Sequence, residues 1–179
     1  MQSTRKLWTW LAVICALSFA VLGWVGVEIY HKAPPIPAKV VSEHGTLLYT
    51  GPQIQRGQDA WRAAGGQQLG SVWGHGAYLA PDWSADWLHR EALALRALIA
   101  EREFNKPFMD LDDGAQAHVE ALLRKEMRHN RYNPDTDTLI VSEERAKAIQ
   151  EVAAHYIGLF GEDMTLHPLR EQYAMKSNL

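Results

Sequence analysis

Cysteine is almost absent from this sequence: the single copy among 179 residues, Cys15, lies inside a long apolar run. A lone cysteine excludes an intrachain disulfide, a zinc site built from several thiolates and a C-x-x-C-H site for covalent haem attachment. The net charge of -3 gives no sign of the basic face that a nucleic-acid partner requires. Internal repeats are also lacking, so the length allows one modest domain beside the apolar run.

Common catalytic motifs are lacking as well. The sequence contains no H-E-x-x-H zinc motif, no P-loop and no recognisable serine–histidine–aspartate arrangement. Histidine occurs eight times, but no two histidines have the i, i+4 spacing of a metal site on a helix. We interpret those on predicted helices as solvated or half-buried side chains. They are His89, His118, His129 and His155, whereas His75 lies in a glycine-rich loop.

Three carboxylates gather near the start of one predicted helix, namely Asp82, Asp86 and Glu91. Such a group would suit a paired general acid and base. Helix capping and the favourable effect of acids at helix N-termini explain it more simply. Composition and spacing alone therefore predict no catalytic residue in this chain.

The longest apolar run covers residues 7–27 and contains no charged side chain. As an α-helix it would extend over roughly 30 Å, the thickness of the hydrocarbon core of a bilayer. Aromatic rings near its ends suit the membrane interface, namely Trp8, Trp10, Trp24 and Tyr30. A cleaved signal peptide would have a shorter apolar region and a small-x-small site after it. We therefore predict a transmembrane helix at 7–30, preceded by a cytoplasmic tail at 1–6.

The orientation of this helix depends on a small difference in charge. Arg5 and Lys6 precede the apolar run and Lys32 follows it, so the positive-inside rule decides only weakly. A very short N-terminal tail with two cations fits a cytoplasmic N-terminus. We therefore expect the soluble part to lie in the periplasm or outside the cell.

The remaining chain predicts a spacer, a small β-hairpin and a mostly helical domain. The spacer and hairpin occupy residues 31–50, with a stiff A-P-P-I-P stretch and two β-prone runs, 40–42 and 46–49, around a turn at His44-Gly45. Residues 51–179 form the helical domain, so the expected fold class is mainly α. Expected helix caps are Thr50 or Gly51, Ser84 and Ser142, and another helix is expected to follow Asp112. Expected core positions include Leu88, Ala92, Leu95, Ile99, Val119, Leu122, Leu123, Met127, Ala146, Ile149, Ala153, Tyr156 and Phe160.

Residues 65–83 combine five glycines with several large apolar side chains. Glycine at this density predicts a loop, and apolar side chains in a loop usually wrap a core or a partner. An extended piece is expected at 138–141, and the tail from residue 162 shows no clear pattern.

The string G-H-G-A-Y-L-A-P-D-W at residues 74–83 adds a family resemblance to this interpretation. Together with G-Q-D-A-W-R-A-A-G-G at 57–66 and H-P-L-R-E-Q-Y-A-M-K at 167–176, it resembles the N-terminal region of the quinol-dependent nitric oxide reductases. These enzymes belong to the haem-copper oxidase superfamily. The resemblance implies a single-pass protein of the bacterial inner membrane whose periplasmic domain, at residues 51–179, has a cytochrome c fold.

The same resemblance marks a departure from the two-subunit nitric oxide reductases. Their cytochrome c subunit carries a C-x-x-C-H motif just before the G-x-G-A-Y segment. By this comparison Gly66, Leu69 and Gly70 stand where the two cysteines and the histidine would be. The expected domain is therefore cytochrome c-like but binds no c-type haem, since no thiol remains to attach it.

The resemblance implies an enzyme that reduces two NO to N2O and water with electrons from quinol. Haem b, haem b3 and a non-haem iron would be held by a catalytic multi-helix core outside these 179 residues. The chain itself is expected to cap the periplasmic face of that core through its loop at 72–83, as a fragment or as a separately encoded front end. A calcium ion would be bound partly by the Gly76 carbonyl and by Tyr78. The alternative is a stand-alone, single-pass periplasmic binding or sensor module without catalysis.

Overall fold

The computed structural model describes residues 2–32, 34–72, 82–161, 163–173 and 175. The chain divides into two units, Met1–Ile36 and Pro37–Leu179.

The first unit consists of one long helix, α1, at Gln2–Lys32. Its stretch Thr4–Lys32 is the one helix of the described residues that is long and apolar enough to cross a membrane. Large apolar side chains stand exposed along it, among them Trp8, Leu17 and Phe19. Because water is a poor solvent for such a surface, the helix needs lipid or protein around it, as the sequence predicts.

The second unit contains four strands and five α-helices in the described residues. Thr50 and Ser142 cap their helices as predicted, and Asp112 caps the helix that was expected to follow it. Each side chain accepts a hydrogen bond from a backbone N–H of the first turn. Gly65 adopts a left-handed φ of 71° directly after α2, so the glycine pair ends that helix as expected. In chain order the elements are β1 Lys39–Ser42, β2 Leu47–Thr50, α2 Gly51–Ala63, α3 Trp83–Phe104, α4 Asp113–Arg128, β3 Tyr132–Asn133, β4 Thr138–Val141, α5 Glu143–Phe160 and α6 His167–Gln172.

The cap of α3 differs from the prediction. The sequence favoured Ser84, but Asp82 is the N-cap, and its Oδ1 accepts hydrogen bonds from the backbone N–H groups of Ser84 and Ala85. The Ser84 hydroxyl is used elsewhere, since it donates to the carbonyl of Val72. Both residue types are good caps, and a contact twelve residues away in the chain decides between them.

The sheet is larger than the predicted hairpin. β1 and β2 pair antiparallel around the expected turn, where Gly45 has a φ of 85°. β1 also pairs in parallel with β4, and β3 pairs antiparallel with β4, which gives the strand order β2-β1-β4-β3. The sheet thus joins the beginning of the domain to the entrance of α5.

The core lies where α3 meets α4 and α5. Its buried residues are Leu95, Ile99, Ala100, Val119 and Ala148, and a second cluster around Val40 and Val141 ties the sheet to α5. The predicted stripe of α3 is wrong at Leu88, which is 50% exposed. On α5 the predicted Ala146 and Ile149 are buried, but Val152 and Leu159 are buried in addition, and Phe160 is partly exposed.

The C-terminal tail is more ordered than its sequence pattern indicates. A 3-10 turn at Met164–Leu166 leads into α6, which has Pro168 in its first turn. The Arg170 guanidinium donates to the backbone carbonyls of Gly158 and Asp163. These bonds dock the tail on the end of α5.

Candidate functional site

The glycine-rich segment at 65–83 is called the aromatic loop below. The residues on either side of 73–81 are bonded to each other, and this bonded place is called the loop base. Ser71 and Asp82 form an isolated parallel bridge, and the Trp83 N–H donates to the Ser71 carbonyl at 2.9 Å. The Ser84 hydroxyl adds its bond to Val72. Residues 73–81 therefore begin and end at one anchored place, directly before α3.

Trp83 lies at the centre of an aromatic cluster beneath this loop base. Its side chain is only 7% exposed, and its ring contacts four others at centroid distances of 5.4–6.2 Å. Edge-to-face and tilted geometries dominate, as the quadrupoles of aromatic rings favour. The aromatic cluster consists of Trp61, Trp83, Trp87, Tyr156, Phe160 and Tyr173.

This position corrects the expectation that Trp83 presses onto a partner. Its ring is buried in the domain's own interior, between α2, α5 and the C-terminal tail. Trp73, the other tryptophan of the loop, lies outside the described residues, as do the proposed calcium ligands Gly76 and Tyr78. No group of three or more metal-ligating side chains occurs among the residues that are described.

Trp61 packs directly over Gly66. A Cβ atom placed on Gly66 would lie 2.2 Å from two atoms of the indole ring, far inside van der Waals contact. Gly66 is the position that corresponds, by the resemblance, to the first haem cysteine. The indole thus covers the backbone from which a thioether side chain would project.

A polar group borders the aromatic cluster on α3 and α5. Asp86 Oδ2 accepts a hydrogen bond from Tyr156 Oη at 2.6 Å and another from Arg90 Nε at 2.8 Å. Burial alone would raise the pKa of Asp86, but these two donors outweigh it and hold the pKa below its ordinary value. Burial and the bond to Asp86 raise the pKa of Tyr156, whereas burial and the charge of Arg90 lower the pKa of His155. At neutral pH the group is therefore an ionised carboxylate held by a cation and a neutral phenol.

Glu91 forms a buried ion pair between the same two helices. Its side chain is only 3% exposed at the residue level, and Arg145 Nε donates to its Oε1 at 2.7 Å. Trp87 Nε1 donates to the other oxygen at 3.1 Å. Both carboxylate oxygens are thus satisfied, which is the condition for a buried charge to be tolerated.

The three predicted carboxylates therefore have three structural roles. Asp82 caps α3, Asp86 binds Arg90 and Tyr156, and Glu91 binds Arg145. The simpler interpretation, capping and local charge effects, is correct for Asp82. The sequence did not indicate Arg145 or Tyr156 as partners, because both lie more than fifty positions away.

Four buried polar atoms have no hydrogen-bond partner within the described residues: Trp61 Nε1, Ser71 Oγ, Trp83 Nε1 and His155 Nε2. Trp61 and Trp83 belong to the aromatic cluster, and Ser71 belongs to the loop base. A buried donor left unpaired costs about 1–3 kcal/mol.

Together these features define a mainly helical, cytochrome c-like domain carried by an apolar anchor helix. A family model for the cytochrome c-like domain of the nitric oxide reductase NorB matches residues 37–179. The match covers the whole second unit, and the chain therefore belongs to this family. No match was found among the curated proteins.

The name of the family raises the question of a c-type haem, and the residues present do not fit one. Residues 37–179 contain no cysteine, so no thioether bond to a porphyrin can form. The neighbourhood of Gly66 is filled by the Trp61 ring. Residues 37–179 therefore provide no thiol for the covalent attachment of a haem.

The contact between Trp61 and Gly66 yields a direct test. We expect Gly66→Ala to lower the free energy of unfolding by about 1–3 kcal/mol, because the new methyl group overpacks the indole. Urea unfolding of the full chain in detergent would measure this change. Gly57→Ala is the matched control: Gly57 lies within α2 with open space around it, so alanine there should stabilise the helix by about 0.5–1 kcal/mol.

A Trp61→Ala background separates overpacking from other effects of Gly66→Ala. Without the indole, the added methyl group should cost much less, which gives a coupling energy between the two sites. An equal cost of Gly66→Ala in both backgrounds would contradict the packing described above.

Proposed function

We propose that this chain is the anchor and haem-less cytochrome c-like domain of a quinol-dependent nitric oxide reductase. The complete enzyme reduces two NO with two protons and two electrons from quinol to N2O and water. Haem b, haem b3 and the non-haem iron belong to a catalytic multi-helix core. The domain described here caps the periplasmic face of that core, at the inner membrane.

One observation carries the proposal: a domain of the NorB cytochrome c-like family has no cysteine for haem attachment. A family member without its own haem does not accept electrons from a soluble cytochrome through this domain. Electrons that pass from membrane quinol to the core would not travel through this domain. The remaining role is structural, namely contact with the core.

The loop base supports a contact role for residues 73–81. These residues start and end at the bridge between Ser71 and Asp82, and Trp83 holds that bridge on the aromatic cluster. A loop on a rigid base loses less conformational entropy on docking than a free linker would. The buried residue of the loop is thus Trp83, and the contacting residues are those before it.

The calcium ligation is proposed by resemblance for Gly76 and Tyr78. Calcium accepts several oxygen ligands, including backbone carbonyls, and two neutral oxygens need carboxylates from elsewhere to complete a site. Asp82 is used as the cap of α3. We therefore place the missing ligands on the core, which makes calcium a link between domain and core.

The experiment is the calcium content of the purified complete enzyme with Tyr78→Phe. We expect less calcium per enzyme than in the wild type, with the domain still folded by circular dichroism. Tyr132→Phe is the matched control, because its hydroxyl bonds Asp137 at the edge of the sheet. Equal calcium in the wild type and Tyr78→Phe would refute the calcium ligation by Tyr78.

A further inference from the structure

Three arginines from two helices meet in one groove between α3 and α4. Arg96 comes from α3, whereas Arg124 and Arg128 lie one turn apart on α4. The groove has a volume of about 370 Å³. Its lining is Ala92, Arg96, Glu120, Leu123, Arg124, Met127 and Arg128.

The positive charge of this groove contrasts with the rest of the domain. Residues 37–179 contain 15 lysines and arginines against 20 aspartates and glutamates, so the domain as a whole is acidic. The groove has three cations and a single carboxylate, Glu120. An anion would therefore be attracted to this place on a surface that otherwise repels it.

The three groove guanidinium groups differ from several other arginines of the domain, which are paired with carboxylates. Examples are Arg90–Asp86, Arg102–Glu144, Arg131–Glu126 and Arg145–Glu91. Within the described part of the chain, none of the three groove arginines forms an ion pair, not even with Glu120. Their hydrogen-bond donors are available to a ligand.

Arg96 is also held in place. Its guanidinium lies over the Phe108 ring, with Cζ 4.2 Å from the ring centroid. Stacking on an aromatic face leaves the N–H groups at the edge of the guanidinium, which is the geometry that binds phosphate oxygens in pairs. A cation fixed in this way loses little side-chain entropy when it binds.

The floor of the groove is apolar, since Ala92, Leu123 and Met127 lie between the arginines. Leu123 and Met127 pack on the core beneath, so the floor is part of the folded domain. A free phosphate would use the arginines alone, whereas an amphiphile would use both surfaces. Because the domain follows a helix that is long and apolar enough to cross a membrane, anionic lipids are the amphiphiles expected at high local concentration.

We propose that the groove between α3 and α4 binds an anionic phospholipid. The phosphate contacts Arg96, Arg124 and Arg128, and the first part of an acyl chain lies against Leu123 and Met127. The site would hold the domain at the bilayer surface independently of any catalytic core, so it does not depend on the proposed reductase function.

The test is calorimetric titration of the full chain in detergent with short-chain phosphatidylglycerol. Phosphatidylcholine and inorganic phosphate are titrated in parallel. We expect phosphatidylglycerol to bind at least about tenfold more tightly than either, because only it offers both the net negative charge and the acyl chain. The variant Arg96→Gln/Arg124→Gln/Arg128→Gln should weaken that binding on the order of 100-fold, at roughly fivefold for each cation near an anionic lipid.

Two control variants each remove three positive charges outside the groove. Arg56→Gln/Lys106→Gln/Lys147→Gln should change binding by less than about threefold, because these residues lie away from the groove. Arg5→Gln/Lys6→Gln/Lys32→Gln tests the cations that flank α1 and should also leave the titrated site intact.

Four results would overturn the proposal. Unchanged phosphatidylglycerol binding by the groove variant would place the lipid elsewhere. Equal affinity for inorganic phosphate would identify a free-anion site, and equal affinity for phosphatidylcholine would show an apolar contact without recognition of charge. Protection of α4 amides from hydrogen exchange by the catalytic core, in bilayers without anionic lipid, would assign the groove to a protein partner instead.

Discussion

Replacing Trp83 with alanine is expected to lower the free energy of unfolding of the 37–179 unit by about 3–5 kcal/mol. The indole is 7% exposed and touches the rings of Trp61, Tyr156, Phe160 and Tyr173. Its removal leaves a cavity where α2, α3, α5 and the tail converge, and no single neighbour can fill it. The measurement is urea unfolding of the full chain in detergent, followed by near-ultraviolet circular dichroism.

Two control variants show whether the effect of Trp83→Ala comes from the loss of a buried aromatic ring. Leu88→Ala, on the exposed side of the same helix, should change stability by no more than about 0.5 kcal/mol. Trp83→Phe keeps an aromatic ring in the cluster and should recover part of the loss. A loss below about 1 kcal/mol for Trp83→Ala would mean that the ring is not buried as described, and would restore the partner-facing interpretation.

Replacing Arg145 with alanine is expected to destabilise the domain by about 3–5 kcal/mol, because it leaves the buried Glu91 carboxyl group without its cationic partner. Glu91 is 3% exposed, and its bond to Trp87 cannot compensate for the lost cation. The measured quantities are again the midpoint and slope of urea unfolding. At unchanged slope, the shift in midpoint gives the loss in free energy.

An exposed ion pair of the same helices provides the control for Arg145→Ala. Arg102 bonds Glu144 at 2.8 Å with a side chain that is 45% exposed, so Arg102→Ala should cost about 0–1 kcal/mol. The double variant Glu91→Leu/Arg145→Met removes both charges and should recover most of the stability. If Arg145→Ala and Arg102→Ala lower the free energy of unfolding by the same amount, the buried ion pair contributes no more to stability than the exposed one.

Local signals in the sequence were sufficient for most helix boundaries. Thr50, Asp112 and Ser142 act through backbone groups two or three residues away, so the information that places them is adjacent in the chain. Asp82 shows the limit of this reasoning. It and Ser84 are both suitable caps, and the remote Val72 carbonyl engages the Ser84 hydroxyl.

Pairings between distant segments were not predictable in the same way. The parallel pairing of Val40 with Leu139 joins strands about one hundred residues apart, and four-residue strands carry too little pattern to reveal it. The sequence likewise did not reveal that Arg145 is the partner of Glu91. Such contacts depend on how α3 and α5 pack, which no local spacing encodes.

The aromatic loop predicted at 65–83 was interpreted only in part, and its residues 73–81 lie outside the described residues. Composition shows that apolar side chains gather at 65–83, but not which of them turn inward. The structure places Trp83 in the aromatic cluster, where it supports the loop base. The absence of cysteine from residues 37–179 is read directly from the sequence, and it excludes thioether attachment of a haem because that attachment requires the thiols themselves.

The NO turnover of the complete reductase with residues 73–81 replaced by a glycine–serine linker tests the central claim most directly. Trp83 and the aromatic cluster remain in this variant, so the domain should stay folded, and the residues proposed to contact the core are lost. The account predicts that quinol-driven turnover falls well below that of the wild-type enzyme. Full turnover, with the domain folded, would show that the core does not need this loop.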